Sequence, residues 1–451
     1  MTQIKMEKRL FGTNGVRGVV GKDMTPALAL SIGMALGSMR KGKIAVGMDT
    51  RTSGPALAGA VKAGLLATGC DVVDCGILPT PALQYLVKHH FDGGAVITAS
   101  HNPPEYNGVK IIEADGTEMG DAETIALEER IFSQKFDAAD WQGVGREVAA
   151  PAMVDEYVDS IVAAFPPGTG NGMTVIVDPG CGAAAMTTPR ILTRLGCRVM
   201  SINAQIDGTF PGRLPEPSVE GLKGLTGLVL SSGAAFGVAH DGDADRAVFI
   251  DDKGRYIEEN QEFGLIEQYV CSSRKGAVVT PVSSSRLIEA IAEKYGCHVV
   301  YTPVGSIYVA RTMIGLLEKG EAVSFGGEGN GGLIYPDHQF CRDGGMTAAM
   351  MVAILSRTGE PLSTLVDRLP AFHMIKDKVG VADPAALLVQ MKQAFSSDRL
   401  DLTDGVRINR GGTWALIRPS GTEPLVRVMV ESERKEDADA LYQDIMRRIK
   451  S

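Results

Sequence analysis

Residues 44–73 read IAVGMDTRTSGPALAGAVKAGLLATGCDVV, which is an apolar strand, a loop, a helical stretch that ends in Gly-Cys, and a second apolar strand. Glycine is typical of the position after a helix, because the backbone there often needs a positive φ. The same order of predicted elements recurs at residues 174–200 and 277–300. Alternating strands and helices favour mainly parallel or mixed sheets covered by helices. We therefore expect three related α/β domains.

The C-terminal stretch, from residue 370 onward, lacks the Gly-Cys unit and has a different order of predicted elements. It contains predicted helices at 384–395 and 437–449 and predicted strands at 405–409, 413–417 and 425–430. This order favours a smaller α+β domain. The predicted domains are residues 1–150, 151–251, 252–367 and 368–451.

The composition of the 451-residue chain, with 44% apolar and 22% charged residues, is that of an ordinary soluble globular protein. A formal net charge of −9 and the lack of a long Lys/Arg run argue against a nucleic-acid partner. The N-terminus has no apolar signal-peptide core, and the longest apolar run, 346–355, is about half a membrane span. We expect that run to be a core helix. An odd number of cysteines without a CxxC pair predicts neither a disulfide framework nor a zinc site, so we expect a cytoplasmic protein with no membrane partner.

The segment TASHNPP, residues 98–104, follows a short apolar strand at 94–97. Its two prolines lack backbone donors and fix φ, so Ser100 is predicted to lie on a tight loop at the strand end. Ligands of open α/β sheets bind at that edge, and we therefore expect Ser100 to take part in chemistry. A Ser-His-Asp hydrolase would need a GxSxG elbow or an equivalent, and Ser100 lacks those glycines.

The segment HDGDADR, residues 240–246, lies between predicted apolar strands at 236–239 and 247–250. Asp241, Asp243 and Asp245 alternate in a turn and can direct their oxygens at one hard cation such as Mg²⁺. A solvated acidic turn is the alternative, but three carboxylates between buried strands repel one another without a cation. An EF-hand does not fit, because strands flank the turn and Arg246 stands where that loop needs glycine. The sequence therefore predicts a magnesium site.

The segment GGEGNGG, residues 326–332, satisfies the GxGxxG pattern of dinucleotide sites. We reject that interpretation because the following residues, 333–336, are strand-like, whereas the fingerprint must open a helix. A better interpretation is a loop that brings Glu328 and Asn330 to a polyhydroxylated ligand, since glycines allow close backbone approach. A plain flexible loop is the alternative.

The segment RPSGTEP, residues 418–424, lies between two predicted strands and has the chemistry of a phosphate cradle. Arg418 offers a guanidinium, and successive N–H groups of a glycine-containing turn can form an anion nest. A hairpin turn without a ligand is the alternative. Taken together, the four segments favour phosphoryl transfer, in which Mg²⁺ and arginines neutralise charge and the nest holds a second phosphate.

The motifs TASHNP, DGDADR, a Gly-Glu loop and RPSGTEP, in this order and at these separations, resemble those of the α-D-phosphohexomutases over the full length. The resemblance implies four domains around a central cleft. It also implies an isomerase that moves a phosphoryl group within a hexose phosphate through an enzyme phosphoserine and a hexose 1,6-bisphosphate. FGTNGVRG at 11–18 and GEGNGG at 327–332 are most similar to archaeal phosphoglucosamine mutases, which interconvert glucosamine 6-phosphate and glucosamine 1-phosphate.

Two alternatives stay open. The Ser and His of the bacterial GExSGH loop are missing here, so phosphomannomutase/phosphoglucomutase activity is the alternative to phosphoglucosamine mutase activity. The alternative from another class is a non-catalytic sugar-phosphate-binding protein, which would be expected to have lost Ser100 or one of the aspartates.

The resemblance also implies a role for each candidate residue. Ser100 would be the phosphoserine, with Arg17 and Lys110 beside it; Lys110 is the leading general acid/base and His101 a weaker one. Mg²⁺ would be held by Ser100, Asp241, Asp243 and Asp245, and Arg246 would contact the transferring phosphate or the sugar. Substrate binding would use Glu328 for the O3 and O4 hydroxyls, with Asn330 in the same loop. The distal phosphate would lie on Arg418, Ser420, Gly421 and Thr422. The implied partner is a small hexose phosphate, with hexose 1,6-bisphosphate as activator. We expect the protein to be a monomer or a homodimer.

Overall fold

The computed structural model describes residues 8–12, 14–419 and 425–450. Its helices are α1 Pro26–Met39, α2 Gly54–Ala67, α3 Thr80–His90, α4 Asp121–Ser133, α5 Val154–Ala163, α6 Thr188–Arg194, α7 Lys223–Ser232, α8 Glu259–Ser273, α9 Arg286–Lys294, α10 Ser306–Glu318, α11 Gly344–Thr358, α12 Leu362–Asp367, α13 Pro384–Ala394 and α14 Lys435–Lys450. Its strands are β1 Val16–Val19, β2 Lys43–Met48, β3 Asp71–Ile77, β4 Gly93–Ile97, β5 Tyr106–Glu113, β6 Glu147–Ala149, β7 Thr174–Asp178, β8 Arg198–Ser201, β9 Phe236–His240, β10 Ala247–Asp251, β11 Ala277–Pro281, β12 His298–Thr302, β13 Val323–Glu328, β14 Gly332–Ile334, β15 His373–Gly380, β16 Arg399–Asp401, β17 Val406–Arg410, β18 Thr413–Pro419 and β19 Leu425–Ser432.

The first compact unit comprises the chain up to residue 262 together with residues 331–367. Its first sheet has the strand order β1-β5-β4-β2-β3-β6, in which β4 is parallel to β2 and antiparallel to β5. Its second sheet has the order β10-β9-β7-β8, in which β7 is parallel to β8 and β9 while β9 and β10 form an antiparallel hairpin. The predicted mixed α/β sheets are therefore confirmed.

The strands of this unit that lead into the candidate loops are buried along their whole length. All five residues of β4 are buried, since the strand lies inside its sheet between β5 and β2. The apolar side chains of β2, β4 and β5 pack with α1 and α2 into one core. Strands β9 and β10 are likewise buried throughout, with His240 paired to Ala247 beside the connecting turn. Both candidate loops therefore start from rigid positions.

The second compact unit comprises residues 263–330 and the chain from residue 368 onward. Strand β11 pairs in parallel with β12 and β13. The C-terminal sheet is antiparallel, in the order β15-β19-β18-β17-β16. Helices α13 and α14 cover one of its faces through a core that includes Val406 and Ile408. The predicted α+β arrangement is confirmed, whereas the sequence analysis missed β15 and β16.

The predicted ends of the three repeated helices are also confirmed. Gly69, Gly196 and Gly296 follow α2, α6 and α9 with φ of 85°, 103° and 67°, which only glycine adopts readily. The apolar run at 346–355 lies inside α11 and is buried at every residue. None of the helices in the described part of the chain combines the length and the apolar composition of a membrane span.

Candidate active site

Ser100 lies in the loop between β4 and β5, at the end of β4, as predicted. Its side chain is fully buried, and its φ of 51° is left-handed, which is unusual for a residue with a side chain. The backbone N–H donates to Thr98 Oγ1 at 2.8 Å, and Thr98 Oγ1 donates to Asp49 Oδ2 at 2.7 Å. The Ser100 hydroxyl donates to Asp241 Oδ2 at 2.6 Å. The loop therefore holds the hydroxyl against the aspartate cluster.

Arg51 clamps this loop from inside the protein. Its side chain is buried. Its two terminal nitrogens donate to the carbonyl oxygens of residues 100, 102, 103 and 106 at 2.6–2.9 Å. Its Nε donates to Asp49 at 3.1 Å. Every N–H of the guanidinium therefore fixes the Ser100 loop or its counter-ion.

The turn between β9 and β10 brings three aspartates together. One carboxylate oxygen from each of Asp241, Asp243 and Asp245 lies within 4.8 Å of the others, and all three side chains are buried. Ala244 has a left-handed φ of 58°, which lets the turn direct all three side chains inward. A Cβ on Gly242 would lie 2.5 Å from the Ser100 carbonyl oxygen. Glycine is therefore required where the two loops touch.

The donor set fits a hard divalent cation. Oδ1 of Asp243 and Oδ1 of Asp245 are buried without a hydrogen-bond partner among the described residues. Unpaired buried carboxylate oxygens are costly, and a cation with oxygen ligands would satisfy them. Burial, with the neighbouring Asp245 and Asp243, raises the pKa of Asp241 to about 8. The three residues could therefore hold a metal such as Mg²⁺.

Two buried cations and a hydroxyl occupy the other oxygens of the cluster. Lys110 Nζ donates to Asp243 Oδ2 at 2.8 Å and to Asp245 Oδ2 at 3.2 Å. Thr80, the first residue of α3, donates from Oγ1 to Asp243 Oδ2 at 2.6 Å. Arg342 donates to Asp245 Oδ2 from the segment that precedes α11. These contacts leave Oδ1 of Asp243 and Oδ1 of Asp245 without a hydrogen bond from the described residues, although Asp245 Oδ1 lies 3.8 Å from Arg246 Nε.

The same contacts set the protonation of the cluster. Burial acts to raise the pKa of Asp243 and of Asp245. Nevertheless the pKa of Asp243 is lowered below its usual range by Lys110, and the pKa of Asp245 is lowered by Arg342 together with Lys110. In Lys110, burial acts to lower the pKa, but the two aspartates raise it above its ordinary value. Lys110 therefore stays an ammonium at neutral pH in this arrangement.

Arg17 and Arg246 contact the Ser100 loop, in which His101 follows Ser100. Arg17 Nη1 donates to Asn102 Oδ1 at 3.1 Å, and Arg246 Nη2 donates to His101 Nδ1 at 2.9 Å. Burial, with the charges of Arg246 and Arg17, lowers the pKa of His101 to about 3, so its ring is neutral. Arg246 Nε is buried without a hydrogen-bond partner in the described chain and lies 3.9 Å from Asp241 Oδ2 and 3.8 Å from Asp245 Oδ1.

The other predicted binding residues belong to the second compact unit. Glu328 is the last residue of β13 and is buried, and Asn330 donates from its backbone N–H to the Glu328 carbonyl at 2.7 Å. Strand β14 follows the glycine-rich segment, which confirms that it does not open a helix of the dinucleotide type. Arg418 lies near the end of β18 and donates to Asp404 Oδ2 at 2.7 Å. Ser420, Gly421 and Thr422 lie outside the described residues.

Sequence analysis missed Thr80, Arg213 and Arg342. Arg213 is buried; its Nη2 donates to the His240 carbonyl at 2.6 Å, and its Nε donates to Asp178 Oδ2 at 2.9 Å. Each of these residues reaches the aspartate turn from an element distant in sequence. No local pattern marks them, so only the three-dimensional arrangement identifies them.

Models of one protein family match nearly the whole chain. The matched parts are described as phosphoglucomutase/phosphomannomutase α/β/α domain I at residues 8–138, domain II at 155–254, domain III at 258–372 and the C-terminal domain at 378–448.

Similar proteins agree with these matches. A phosphoglucomutase/phosphomannomutase of Thermococcus kodakarensis is 43% identical over 446 residues, which cover 95% of this chain and 96% of that protein. A probable phosphoglucosamine mutase of Methanopyrus kandleri is 40% identical and is covered to 98%, as is this chain. A crystal structure of a phosphoglucomutase/phosphomannomutase family protein from Burkholderia thailandensis is 28% identical, with a TM-score of 0.87 over 99% of this chain and 98% of that one.

Proposed function

The chain belongs to the phosphoglucomutase/phosphomannomutase family and is a phosphohexomutase, an intramolecular phosphotransferase of the isomerase class, and from this premise we propose that Ser100 is its phosphoryl carrier. The observation that supports this most directly is the 2.6 Å hydrogen bond from the buried Ser100 hydroxyl to Asp241. A hydroxyl held in one direction beside a cation site suits in-line phosphoryl transfer, because transfer requires a fixed attack geometry.

The proposed cycle has two halves. In the first, the P–O bond of phospho-Ser100 breaks and the Ser100 oxygen gains a proton, while a free hydroxyl of the bound hexose monophosphate gains the phosphoryl group and loses its proton, which gives a hexose 1,6-bisphosphate. In the second, the other phosphate of that intermediate returns to Ser100, whose hydroxyl loses its proton, and the sugar oxygen regains a proton. Added hexose 1,6-bisphosphate would act as the activator by loading Ser100.

Asp241, Asp243 and Asp245 are the proposed ligands of Mg²⁺, with an oxygen of phospho-Ser100. Bound there, the cation would neutralise charge that spreads over the transferring phosphoryl group. Arg17 and Arg246 would add positive charge on the same side. Both arginines adjoin the Ser100 loop, through Asn102 and His101.

Lys110 and His101 are the proposed groups for proton transfer. Lys110 lies inside the aspartate cluster as an ammonium, so it can donate a proton to the Ser100 oxygen when the phosphoryl group leaves and accept one when Ser100 is phosphorylated again. His101 Nδ1 lies 3.4 Å from the Ser100 oxygen, but it already accepts a hydrogen bond from Arg246. We therefore keep Lys110 as the leading candidate.

For the substrate, we propose glucosamine 6-phosphate and glucosamine 1-phosphate, with phosphomannomutase/phosphoglucomutase activity as the second candidate. The FGTNGVRG and GEGNGG segments support the first, and a Thermococcus relative named for the second supports the alternative. Glu328 with Asn330 would bind sugar hydroxyls, and Arg418 with Ser420, Gly421 and Thr422 the distal phosphate. We also propose domain borders after residues 150, 251 and 367.

Phosphorylation of Ser100 tests the proposal. Purified protein incubated with glucose 1,6-bisphosphate and Mg²⁺ should gain one phosphoryl group on Ser100 by mass spectrometry. Ser100→Ala should lose turnover while its thermal unfolding stays close to that of the parent protein. Absence of the phosphoserine, or substantial turnover by Ser100→Ala, would refute the carrier role. A non-catalytic sugar-phosphate-binding protein would bind the bisphosphate without retaining phosphate on Ser100.

The substrate is tested by measuring kcat/KM for glucosamine 1-phosphate, glucose 1-phosphate and mannose 1-phosphate side by side. The highest value is expected for the glucosamine compound. A higher value for glucose or mannose 1-phosphate would move the assignment to the second candidate and leave the role of Ser100 intact.

A further inference from the structure

A cavity of about 450 Å³ lies in the second compact unit, outside the residues proposed for catalysis. Its walls come from α9 and β12 on one side and from β16 and β17 of the C-terminal sheet on the other. The charged and polar side chains that line it include Arg286, Glu289, Arg399, Arg407 and Asn409. Its volume lies within the range of small-molecule sites, which is about 300–1,000 Å³.

Arg407 occupies this cavity because of the alternation of β17. Val406 and Ile408 face the core beneath α13 and α14, so Arg407 and Asn409 face the opposite side of the sheet. On that side the guanidinium lies between two rings, 4.6 Å from the centre of the Tyr301 ring and 4.5 Å from the centre of the Trp414 ring. Aromatic faces stabilise a guanidinium, and these two leave its N–H edge for recognition.

Arg407 is only 3% exposed, yet its Nε is buried without a hydrogen-bond partner among the described residues. Leaving a buried guanidinium N–H unpaired is costly. By contrast Arg51, which is just as buried, uses every donor. The Nε of Arg407 therefore lacks the acceptor that every donor of Arg51 has.

The acidic neighbours of Arg407 are engaged elsewhere. Asp401, opposite Arg407 on β16, accepts from the backbone and the hydroxyl of Thr403. Oε2 of Glu431 accepts from the Trp414 indole at 2.7 Å and from the Arg286 backbone at 2.8 Å. Glu289 accepts from the Arg286 side chain. These acids reduce the net charge of the region without satisfying the N–H edge of Arg407.

We propose that this cavity binds a small ligand through one oxyanion, a phosphate monoester or a carboxylate, that accepts hydrogen bonds from the edge of Arg407. Both groups present two oxygens at the spacing of a guanidinium edge. Arg399, exposed at the rim, adds attraction, and Asn409 offers a neutral polar contact. The acids on the wall limit the net positive charge of the cavity, so the ligand has a single anionic group and a neutral polar remainder.

Trp414 makes the site observable, because it is one of two tryptophans and is buried against Arg407. The other, Trp141, is 84% exposed, so Trp141→Phe leaves a single fluorophore at the site without disturbing the core. In that background, inorganic phosphate and acetate are titrated separately at constant ionic strength, and the Trp414 emission is recorded. A saturable change with phosphate alone assigns the phosphate ester, and one with acetate alone assigns the carboxylate.

Three variants decide where the anion binds. Arg407→Met should weaken binding at least about tenfold, because the charge-assisted hydrogen bonds are lost. Arg399→Gln should weaken it by a smaller factor. Arg418→Gln, which removes the guanidinium proposed for the distal phosphate, should leave the affinity unchanged. Circular dichroism checks folding, and if Arg407→Met does not fold, Arg407→Lys and Arg399→Gln provide the same comparison. The proposal is overturned if neither anion gives a saturable signal, or if a folded Arg407 variant binds the anion as tightly as the parent protein.

Discussion

The Ser100 loop and the aspartate turn are each fixed by a buried arginine with its own aspartate. Arg51 with Asp49 holds the first, and Arg213 with Asp178 holds the second. Both aspartates lie at the carboxyl end of the first strand of a repeated unit, β2 or β7. Each loop also contains a non-glycine residue with left-handed φ, Ser100 at 51° and Ala244 at 58°. Such residues cost about 1–3 kcal/mol each and persist only where the surroundings hold them firmly.

Arg51 and Arg213 differ in the backbone positions that they bind. Arg51 binds the carbonyl of Ser100 itself, at 2.9 Å, and three further carbonyls of the same loop. Arg213 binds the His240 carbonyl, one residue before the first aspartate, and its other hydrogen bonds go to Asp178 and to its own segment. The aspartate turn is then positioned from outside by Thr80, Lys110 and Arg342. The carrier loop is therefore fixed locally, and the cation site is fixed by contacts from several elements.

Of the arginine and glycine variants at the two loops, Arg51→Met should cause the largest loss of stability and turnover. Removing one partner of a buried ion pair costs about 3–5 kcal/mol, and here four loop carbonyls lose their donor as well. Turnover should fall at least about 10²-fold, because a displacement of about 1 Å at Ser100 is enough for such a loss. Urea unfolding and kcat measure the two effects.

Arg51→Lys is the matched control for that variant, since it keeps the charge but lacks the planar fork that binds four carbonyls. It should regain part of the stability and little of the turnover. The result would contradict a role of Arg51 in positioning the Ser100 loop if Arg51→Met lowered the Mg²⁺ affinity, measured by calorimetry, by a larger factor than it lowered turnover.

Gly242→Ala tests the point where the two loops touch. The added Cβ would lie 2.5 Å from the Ser100 carbonyl, so one backbone segment must move. We expect a loss of about 1–3 kcal/mol in unfolding free energy, as for other overpacked sites, and a fall in turnover of about tenfold or more. Gly227→Ala is the control, because a Cβ there meets no atom within 4 Å. Equal turnover of the two variants would show that the loops tolerate separation.

Arg213→Met should mainly affect the cation site. The His240 carbonyl loses its donor, whereas Asp178 still accepts from the Gly180 backbone at 2.8 Å and from Asn203 at 3.2 Å. We expect Mg²⁺ affinity to fall several-fold by calorimetry and turnover to be rescued by high Mg²⁺, in contrast to Arg51→Met. If high Mg²⁺ did not rescue turnover, Arg213 would act on the Ser100 loop as Arg51 does.

Local patterns were sufficient to predict the two loops. An apolar strand followed by TASHNPP cannot continue as strand or helix, and alternating aspartates between two apolar strands leave few geometries. The repeated Gly-Cys unit predicted the three α/β sheets for the same reason. These features depend on neighbours in sequence, so a single chain is enough to find them.

Contacts between distant elements were not predictable. Arg213 lies in the irregular segment between β8 and α7, and Arg342 in the loop before α11, where no periodicity indicates what the side chain meets. Strand β15 was missed because it lies at a sheet edge with partly exposed residues, and β16 because it has only three residues. The Arg407 cavity was missed because one charged residue in a strand looks like a solvent-facing position.

Arg342→Gln should have the smallest effect on turnover, and it distinguishes the cation site most cleanly from the carrier loop. Burial acts to raise the pKa of Asp245, and Arg342 is the strongest of the groups that lower it, so the variant leaves the cluster with one positive charge fewer. Without Mg²⁺ the melting temperature should fall, because the carboxylates repel more strongly. With Mg²⁺ the difference in melting temperature between Arg342→Gln and the parent protein should become smaller. A ligand that binds the folded state stabilises it more when its affinity is higher, and the more negative cluster binds the cation more tightly.

Two variants serve as controls for Arg342→Gln. Arg342→Lys keeps the charge and should respond to Mg²⁺ like the parent protein, whereas the difference in melting temperature between Arg51→Met and the parent protein should not change with Mg²⁺. A gap for Arg342→Gln that is equally insensitive to Mg²⁺ would place Arg342 with the structural arginines rather than with the cation site.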